Sequence, residues 1–308
     1  MSGALQAVFA NQRSFTAVPG APTIGIATAT GSTTANVAFT APASDGGSTI
    51  TSYTATSSPG GITGTLSQAG SGTISITGLS GVTSYTFTVT ATNAIGTSPS
   101  SAASNSITTS RVLGSAFGGG YFAGQISTSG NSVATHNLVV CDISVGERSS
   151  ASAWGPRPAT TGFTSVINGP ANSAGLAALG ASYIPATFCE AVNTGGYTDW
   201  YLPASAELEI LFFNLKPTTD TVSTGTGTNA YAVPARASNY TAGNPGRTVA
   251  TNFIYSGGGQ EFAPFSRYWS STEADDTTAY VKYFDSGSPD NPSKDSTNRT
   301  RAIRRVAV

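Results

Sequence analysis

Between Ser14 and Ser110 the chain carries a single acidic or basic side chain, Asp45. Such a segment is not disordered in the charge-rich sense, because Val, Ile, Tyr and Phe recur in it at short intervals. Alternation is plain in "ANVAFTAP", "ITSYTAT", "GTISITGL" and "SYTFTVTAT", with turn material such as "SDGGS" and "SSPGG" between them. Strand, turn and strand repeated over residues 20–109 predict a small antiparallel β-sandwich of seven strands.

Residues 110–308 have another texture, because helices and all but a few of the charges fall there. In "ASAELEILFFNLKP", Leu208, Leu211, Phe212 and Leu215 stand at i, i+3, i+4 and i+7, which predicts a helix with one apolar face ended by Pro217. "SAGLAALGASYIPATFCEAV" predicts a second, weaker helix interrupted near Pro185. Strands and long Gly/Ser/Asn loops fill the rest, so the second half reads as an α+β domain. At 308 residues the chain is long enough for two cores.

Charged residues make up 9% of the sequence, against about 25% in an ordinary soluble domain. The net charge is -1 and no basic face for nucleic acid is visible. Arg299, Arg301, Arg304 and Arg305 cluster at the end and read as strand decoration with ion pairing rather than a phosphate clamp. No apolar run approaches the roughly 20 residues of a membrane span. The start, "MSGALQAVFANQRSF", lacks the pattern of a signal peptide. Cys141 and Cys189 read as buried free thiols, with a disulfide as the alternative. Two cysteines with the single histidine, His136, do not make up the four ligands of a zinc site.

Two resemblances sharpen this reading. Residues 20–109 resemble a fibronectin type III module. Pro22 opens it, Phe39 stands at the usual strand-B tryptophan, Tyr53 fits the strand-C tyrosine, and Leu79 with Tyr85 matches the tyrosine-corner pair of "GLSGVTSYTFTVTATNAIGTSPSS". The usual role of such a module is that of a spacer. The second half resembles the C-terminal domain of the Legionella collagen-like adhesin. The carrying motifs are "GGYTDWYLPASAELEIL", "YWSSTEADDTTAYVKYFDSG" and "RTRAIRRV". Tyr201 and Ala204 depart from the family's Arg and its Ser/Thr cap, whereas Glu207 keeps its place. This resemblance implies a C-type-lectin-like fold and a family whose best understood members bind sulfated polysaccharides. The expected architecture is therefore an all-β fibronectin type III sandwich followed by an α+β C-type-lectin-like domain.

Within that frame Trp269, Ser270, Ser271 and Thr272 are expected in a core strand and tight turn, and Tyr280, Tyr283 and Phe284 as packing positions on the next strand. Glu273, Asp275 and Asp276 are expected on a solvated connecting loop. Catalysis is not expected. His136 has no Gly-x-Ser-x-Gly elbow beside it, "GSAFGGGYFAGQ" lacks the Lys of a phosphate loop, and no carboxylate pair has a neighbour to split its pKa values. Ligand binding is expected from the loops 257–267 and 285–299, through Asp275, Asp276, Asp290, Asn291, Lys294, Asp295 and Arg299. No cofactor is expected. Calcium held by loop oxygens is an option left open, although the Glu-Pro-Asn type triplet is missing.

Residues 1–19 read as an arm that docks on another subunit through Leu5, Val8, Phe9 and Phe15. Arm, spacer and lectin-like tip together look like a bacteriophage virion protein, a tail fibre or adhesin. Its expected partners are other virion proteins and a host-surface polysaccharide, and it would be a homo-oligomer on the tail or capsid exterior. A capsid decoration protein and a bacterial surface adhesin are the alternatives. Deleting residues 2–15 is expected to leave a folded protein that no longer joins the particle. Copies per purified virion, by quantitative mass spectrometry, check this.

Overall fold

The computed structural model describes residues 16–308. Leu5, Val8, Phe9 and Phe15 lie outside the described residues. The chain divides into two compact units, Met1–Val112 and Leu113–Val308.

In the first unit the strands Thr23–Ala29, Thr34–Thr40 and Gly72–Thr77 form one antiparallel sheet. Thr63–Leu66, Ser52–Ser58, Ser84–Thr92 and Ile107–Thr108 form a second. Every other residue of Thr34–Thr40 and Ser52–Ser58 is buried, as a period of two demands of a half-buried strand. Val37, Phe39, Ile74 and Ile76 of one sheet share a core with Tyr53, Ala55, Phe87 and Val89 of the other. Each such side chain contributes about 1.5–3 kcal/mol before ordering costs. The Phe39 and Tyr53 rings lie 4.3 Å apart. Tyr85 closes the tyrosine corner by accepting the Ser80 N–H at 2.9 Å, with Leu79 buried beside it.

The second unit contains two five-stranded sheets. One sheet runs in the order Ala232–Val233, Gly120–Ile126, His136–Val140 and Ile303–Ala307, with Ala116–Phe117 folded back on Gly120–Ile126. Gly118 and Gly119 make that hairpin turn with φ of +57 and +79. A Cβ on Gly119 would sit 2.5 Å from the Tyr197 ring, so glycine is also required by close approach. The other sheet runs Glu147–Ser152, Asn298–Arg301, Arg267–Glu273, Ala279–Tyr283 and Pro289–Asp290. Helices Gly169–Ala178, Ile184–Glu190 and Ser205–Leu215, with the single turns Ile143–Gly146 and Thr251–Phe253, complete the unit.

Three of the sequence motifs meet at one helix start. Ser205–Leu215 begins after Ala204, which has no acceptor of its own. The orphan N–H groups are met from outside. Ser205 donates to the Thr272 hydroxyl at 3.0 Å and Ala206 to the Val166 carbonyl at 2.9 Å, while the Glu207 carboxylate accepts the Ala204 N–H at 2.8 Å. Glu207 also accepts from Tyr201 and Arg305. Thus the Glu207 carboxylate joins the "DWYLP" and "AIRRV" segments, and the Thr272 hydroxyl ties "YWSST" to the same helix start.

Several local expectations are corrected. The Ser205–Leu215 helix does not bury one apolar face only. It is covered on two sides, by Gly120–Ile126 and by Ala279–Tyr283, so Glu207, Glu209 and Ile210 are buried with Leu208, Leu211, Phe212 and Leu215. Glu273 is not on a solvated loop: it ends the Arg267–Glu273 strand, 2% exposed, because Lys294 and two backbone N–H groups enclose it. Tyr280 is exposed rather than packed, and Lys282 takes the buried place on that strand, whereas Phe284 is buried as expected.

Glu207→Ala would leave Arg305 without its partner and is expected to cost about 3–5 kcal/mol. Thr272→Val, which removes one tertiary cap, is expected to cost about 1–2 kcal/mol. Urea unfolding of the two variants checks both values and their order.

Candidate functional site

The residues singled out from the sequence do not gather in one place. Asp275 folds back on its own turn, accepting from Thr277 and Thr278, and these bonds hold its carboxyl at about 2. The Asp276 carbonyl accepts the Ala159 N–H. Asp290 lies 3.6 Å from Arg267, and Asp295 lies 3.7 Å from Arg157. Asn291 is exposed. Lys294 is corrected outright: its side chain is fully buried, donating to Glu273 at 2.5 Å and to the Ala159 carbonyl, above the Trp154 ring. A lysine placed in "DSGSPDNPSKDSTNR" reads as solvated because nothing local announces an acid 21 residues earlier. Among the described residues no three His, Cys, Asp or Glu side chains converge as metal ligands.

Arg299 alone of the set borders a concave surface. Two shallow depressions, of about 410 and 390 Å³, adjoin each other and share Phe265, Ser266 and Arg299. Arg267, Tyr283 and Asn298 line the first, and Tyr255, Glu147 and Glu261 the second.

Each element has a local cause. Phe262 stacks on Phe284 at 3.9 Å, and the Ala263 N–H donates to the Tyr268 hydroxyl at 2.8 Å, so the loop is fixed immediately before Phe265. Phe265 itself is 69% exposed and has φ +58. An aromatic residue in the left-handed region costs about 1–2 kcal/mol, and such outliers gather at ligand-contacting loops. Tyr255, beside it, is 50% exposed.

The electrostatics are set by Glu147. Its buried carboxylate accepts from Arg299 at 2.9 Å, Arg301 at 2.8 Å and the Tyr268 hydroxyl at 3.1 Å. Burial, reinforced by the Glu147 charge, pushes the Tyr268 phenol well up, so it stays a donor. Arg299 is thereby held at the depression by one nitrogen. Arg267 lies over the Tyr283 ring at 5.8 Å. Asn298 is 4% exposed, and its amide nitrogen has no hydrogen-bond partner among the described residues. The surface thus offers an aromatic face and two guanidinium groups, with the buried Asn298 amide beneath them, a set that can stack a ring and pair an anionic substituent.

Comparison with known families gives one match. The fibronectin type III profile covers residues 20–107. Residues 20–107 form a fibronectin type III domain. Three solved structures are similar to about 30% of the chain. A crystal structure of titin domains is 32% identical over 30% of this chain and 33% of that one, with a TM-score of 0.27. A structure of titin kinase with its flanking domains is 31% identical over 30% and 17%, with a TM-score of 0.26. The twitchin kinase region from C. elegans is 24% identical over 31% and 17%, with a TM-score of 0.27. The match spans a third or less of each of those chains. Comparison with curated proteins finds no match.

In the fibronectin type III domain the Asp45 carboxylate is occupied by the Gly47 N–H of its own turn. Phe265, Arg267 and Asn298 were missed as individual residues by sequence reasoning, although the loops 257–267 and 285–299 that hold them were singled out. An exposed aromatic and an unpaired amide leave no mark in a string. The cysteines are not placed for nucleophilic work. Both are buried and free, and burial pushes the Cys141 thiol up to about 11.

Glu273 gives a pH test of the buried pair. Burial raises its pKa, but Lys294 and the Thr161 and Gly162 N–H groups outweigh that and hold it below its ordinary 4.5. A carboxyl depressed on folding contributes stability that is present above the unfolded-state pKa and lost as pH falls through the folded-state value. Stability is therefore expected to fall below about pH 4.5, and less steeply in Glu273→Gln. Urea midpoints measured from pH 6 to 3 check this.

Proposed function

We propose that this chain is a non-catalytic binding protein of the bacteriophage virion exterior. In this reading residues 1–19 attach it, the fibronectin type III domain is a spacer, and Leu113–Val308 recognises an anionic host-surface polysaccharide. The carrying observation is the Phe265 surface, where a strained and exposed aromatic stands between two depressions flanked by Arg267, Arg299 and the unpaired Asn298 amide. A sugar ring stacks on the aromatic, and sulfate or uronate oxygens pair with the guanidinium forks.

Supporting this reading are the motifs "GGYTDWYLPASAELEIL", "YWSSTEADDTTAYVKYFDSG" and "RTRAIRRV", which resemble the collagen-like adhesin domain of C-type-lectin-like fold. Their residues build the frame that holds the depressions: Tyr268 fixes the loop and Arg299 borders both hollows. Fibronectin type III domains are typically non-catalytic, which agrees with a spacer. Weak single sites on many copies would give avidity.

The test uses the purified full chain in native gels cast with dextran sulfate or with dextran, which differ only in the anionic group. Dextran sulfate is expected to retard the protein and dextran is not. Phe265→Ala, at an exposed position, is expected to keep the melting temperature and to weaken retardation about tenfold. Equal migration in the two polymers, or full retardation of Phe265→Ala, would overturn the reading.

A further inference from the structure

A separate pocket of about 440 Å³ opens between the Ser205–Leu215 helix, the Ala279–Tyr283 strand and the 226–231 loop. It shares no lining residue with the Phe265 depressions. Its size is that of small-molecule sites. The walls carry Ala206, Leu208, Val281 and Pro289, and Tyr231 and Tyr280 stand among the lining residues. Tyr280 is 37% exposed, which places its ring toward the mouth.

The inner end is unusual. Lys282 and Glu209 line it and are ion-paired with each other, and Arg236 pairs with the same carboxylate at 3.7 Å. All three side chains are largely buried, at 5%, 11% and 12% exposure. Two cations therefore face one carboxylate, and among the described residues no second carboxylate pairs with Lys282 or Arg236. Glu209 also accepts the Tyr240 hydroxyl, which further fills its lone pairs. Lys282 spends donors on Glu209 and on the Gly287 carbonyl at 2.8 Å, and an ammonium has three. Arg236 Nη2 is buried without a hydrogen-bond partner. An uncompensated buried cation is costly unless an anion meets it.

We propose that this pocket binds a small monocarboxylate with an apolar body, its carboxylate on the free donor of Lys282 and its body between Leu208, Val281 and the two tyrosines. The lining mixes Leu208, Val281 and Pro289 with Ser and Thr and carries no cation besides Lys282, which suits one negative charge rather than a polyanion. Arg236 behind Glu209 leaves one positive charge in excess. Burial lowers the Lys282 pKa and Glu209 opposes this, so a second anion also favours the charged ammonium.

The experiment is saturation-transfer NMR on the full chain with benzoate and hexanoate, each against its neutral counterpart, benzyl alcohol and hexanol. At least one carboxylate is expected to bind, and at least tenfold more tightly than its alcohol. Lys282→Met is expected to remove that preference. Ala230→Trp, at an exposed lining position whose side chain takes no part in the ion pairs, is expected to block binding while the melting temperature holds, and so tests the site should Lys282→Met fail to fold. No binding of either carboxylate, equal binding of the alcohols, or unchanged binding to Ala230→Trp would overturn the proposal. Loss of dextran sulfate retardation has no bearing on it, because the two sites share no residue.

Discussion

The carboxylate of Glu207 is fully buried in the second unit, with three donors on it. Tyr201 and Arg305 reach one oxygen and the Ala204 N–H the other. Burial raises its pKa, and the Arg305 charge and the hydrogen bonds offset only part of that rise. A buried acid with this many partners admits few alternative arrangements, since each lost donor leaves an uncompensated charge in a dry site. The Ile303–Ala307 strand and the turn before Ser205–Leu215 are therefore fixed together, and the Ser205 N–H adds the Thr272 end of Arg267–Glu273.

The same device recurs along the C-terminal strands. Arg299 and Arg301 share Glu147, and Arg304 pairs with Asp199 through two bonds of 2.8 Å while lying 3.7 Å over the Tyr197 ring. Glu273 with Lys294 and Glu209 with Lys282 repeat it on the Arg267–Glu273 and Ala279–Tyr283 strands. A chain with only 9% charged residues thus places many of them inside, as long-range fasteners between irregular segments. Exposed charges such as Asp199, Asp290, Asp295 and Arg157 are few by comparison. An exposed Phe265 or a cationic pocket end accordingly stands out against a nearly neutral exterior.

Much of this was legible in the string, for reasons that are local. Alternation in "ANVAFTAP" and "SYTFTVTAT" implied strands with one face inward, and the burial of Val37, Phe39, Tyr85 and Phe87 follows from it. The i, i+3, i+4, i+7 spacing of Leu208, Leu211, Phe212 and Leu215 implied the helix. The glycines of "GSAFGGGYFAGQ" suit a tight β-turn better than a phosphate loop, and Gly118 and Gly119 make that turn. The terminal arginines read as ion-pairing residues, and each of the four has a carboxylate partner. Not legible were the fates of single charges: Lys294 and Glu273 read as solvated and are buried, and the helix reads as one-faced although a second strand covers its other side.

What the sequence by itself determined is the class of each segment. A charge-poor run of period two can only bury alternate residues, and an apolar stripe of helical spacing can only be satisfied as a helix. What only the tertiary structure decided is which polar groups meet. Glu209 with Lys282, Glu207 with Arg305 and Glu147 with Arg301 are separated by 73, 98 and 154 residues. No local pattern encodes such a pairing, because a charge's state depends on the dielectric and partners it finds after folding, whereas a strand or helix depends on neighbours already adjacent in the chain. The candidate sites depend on those distant pairings, and so they became visible only in three dimensions.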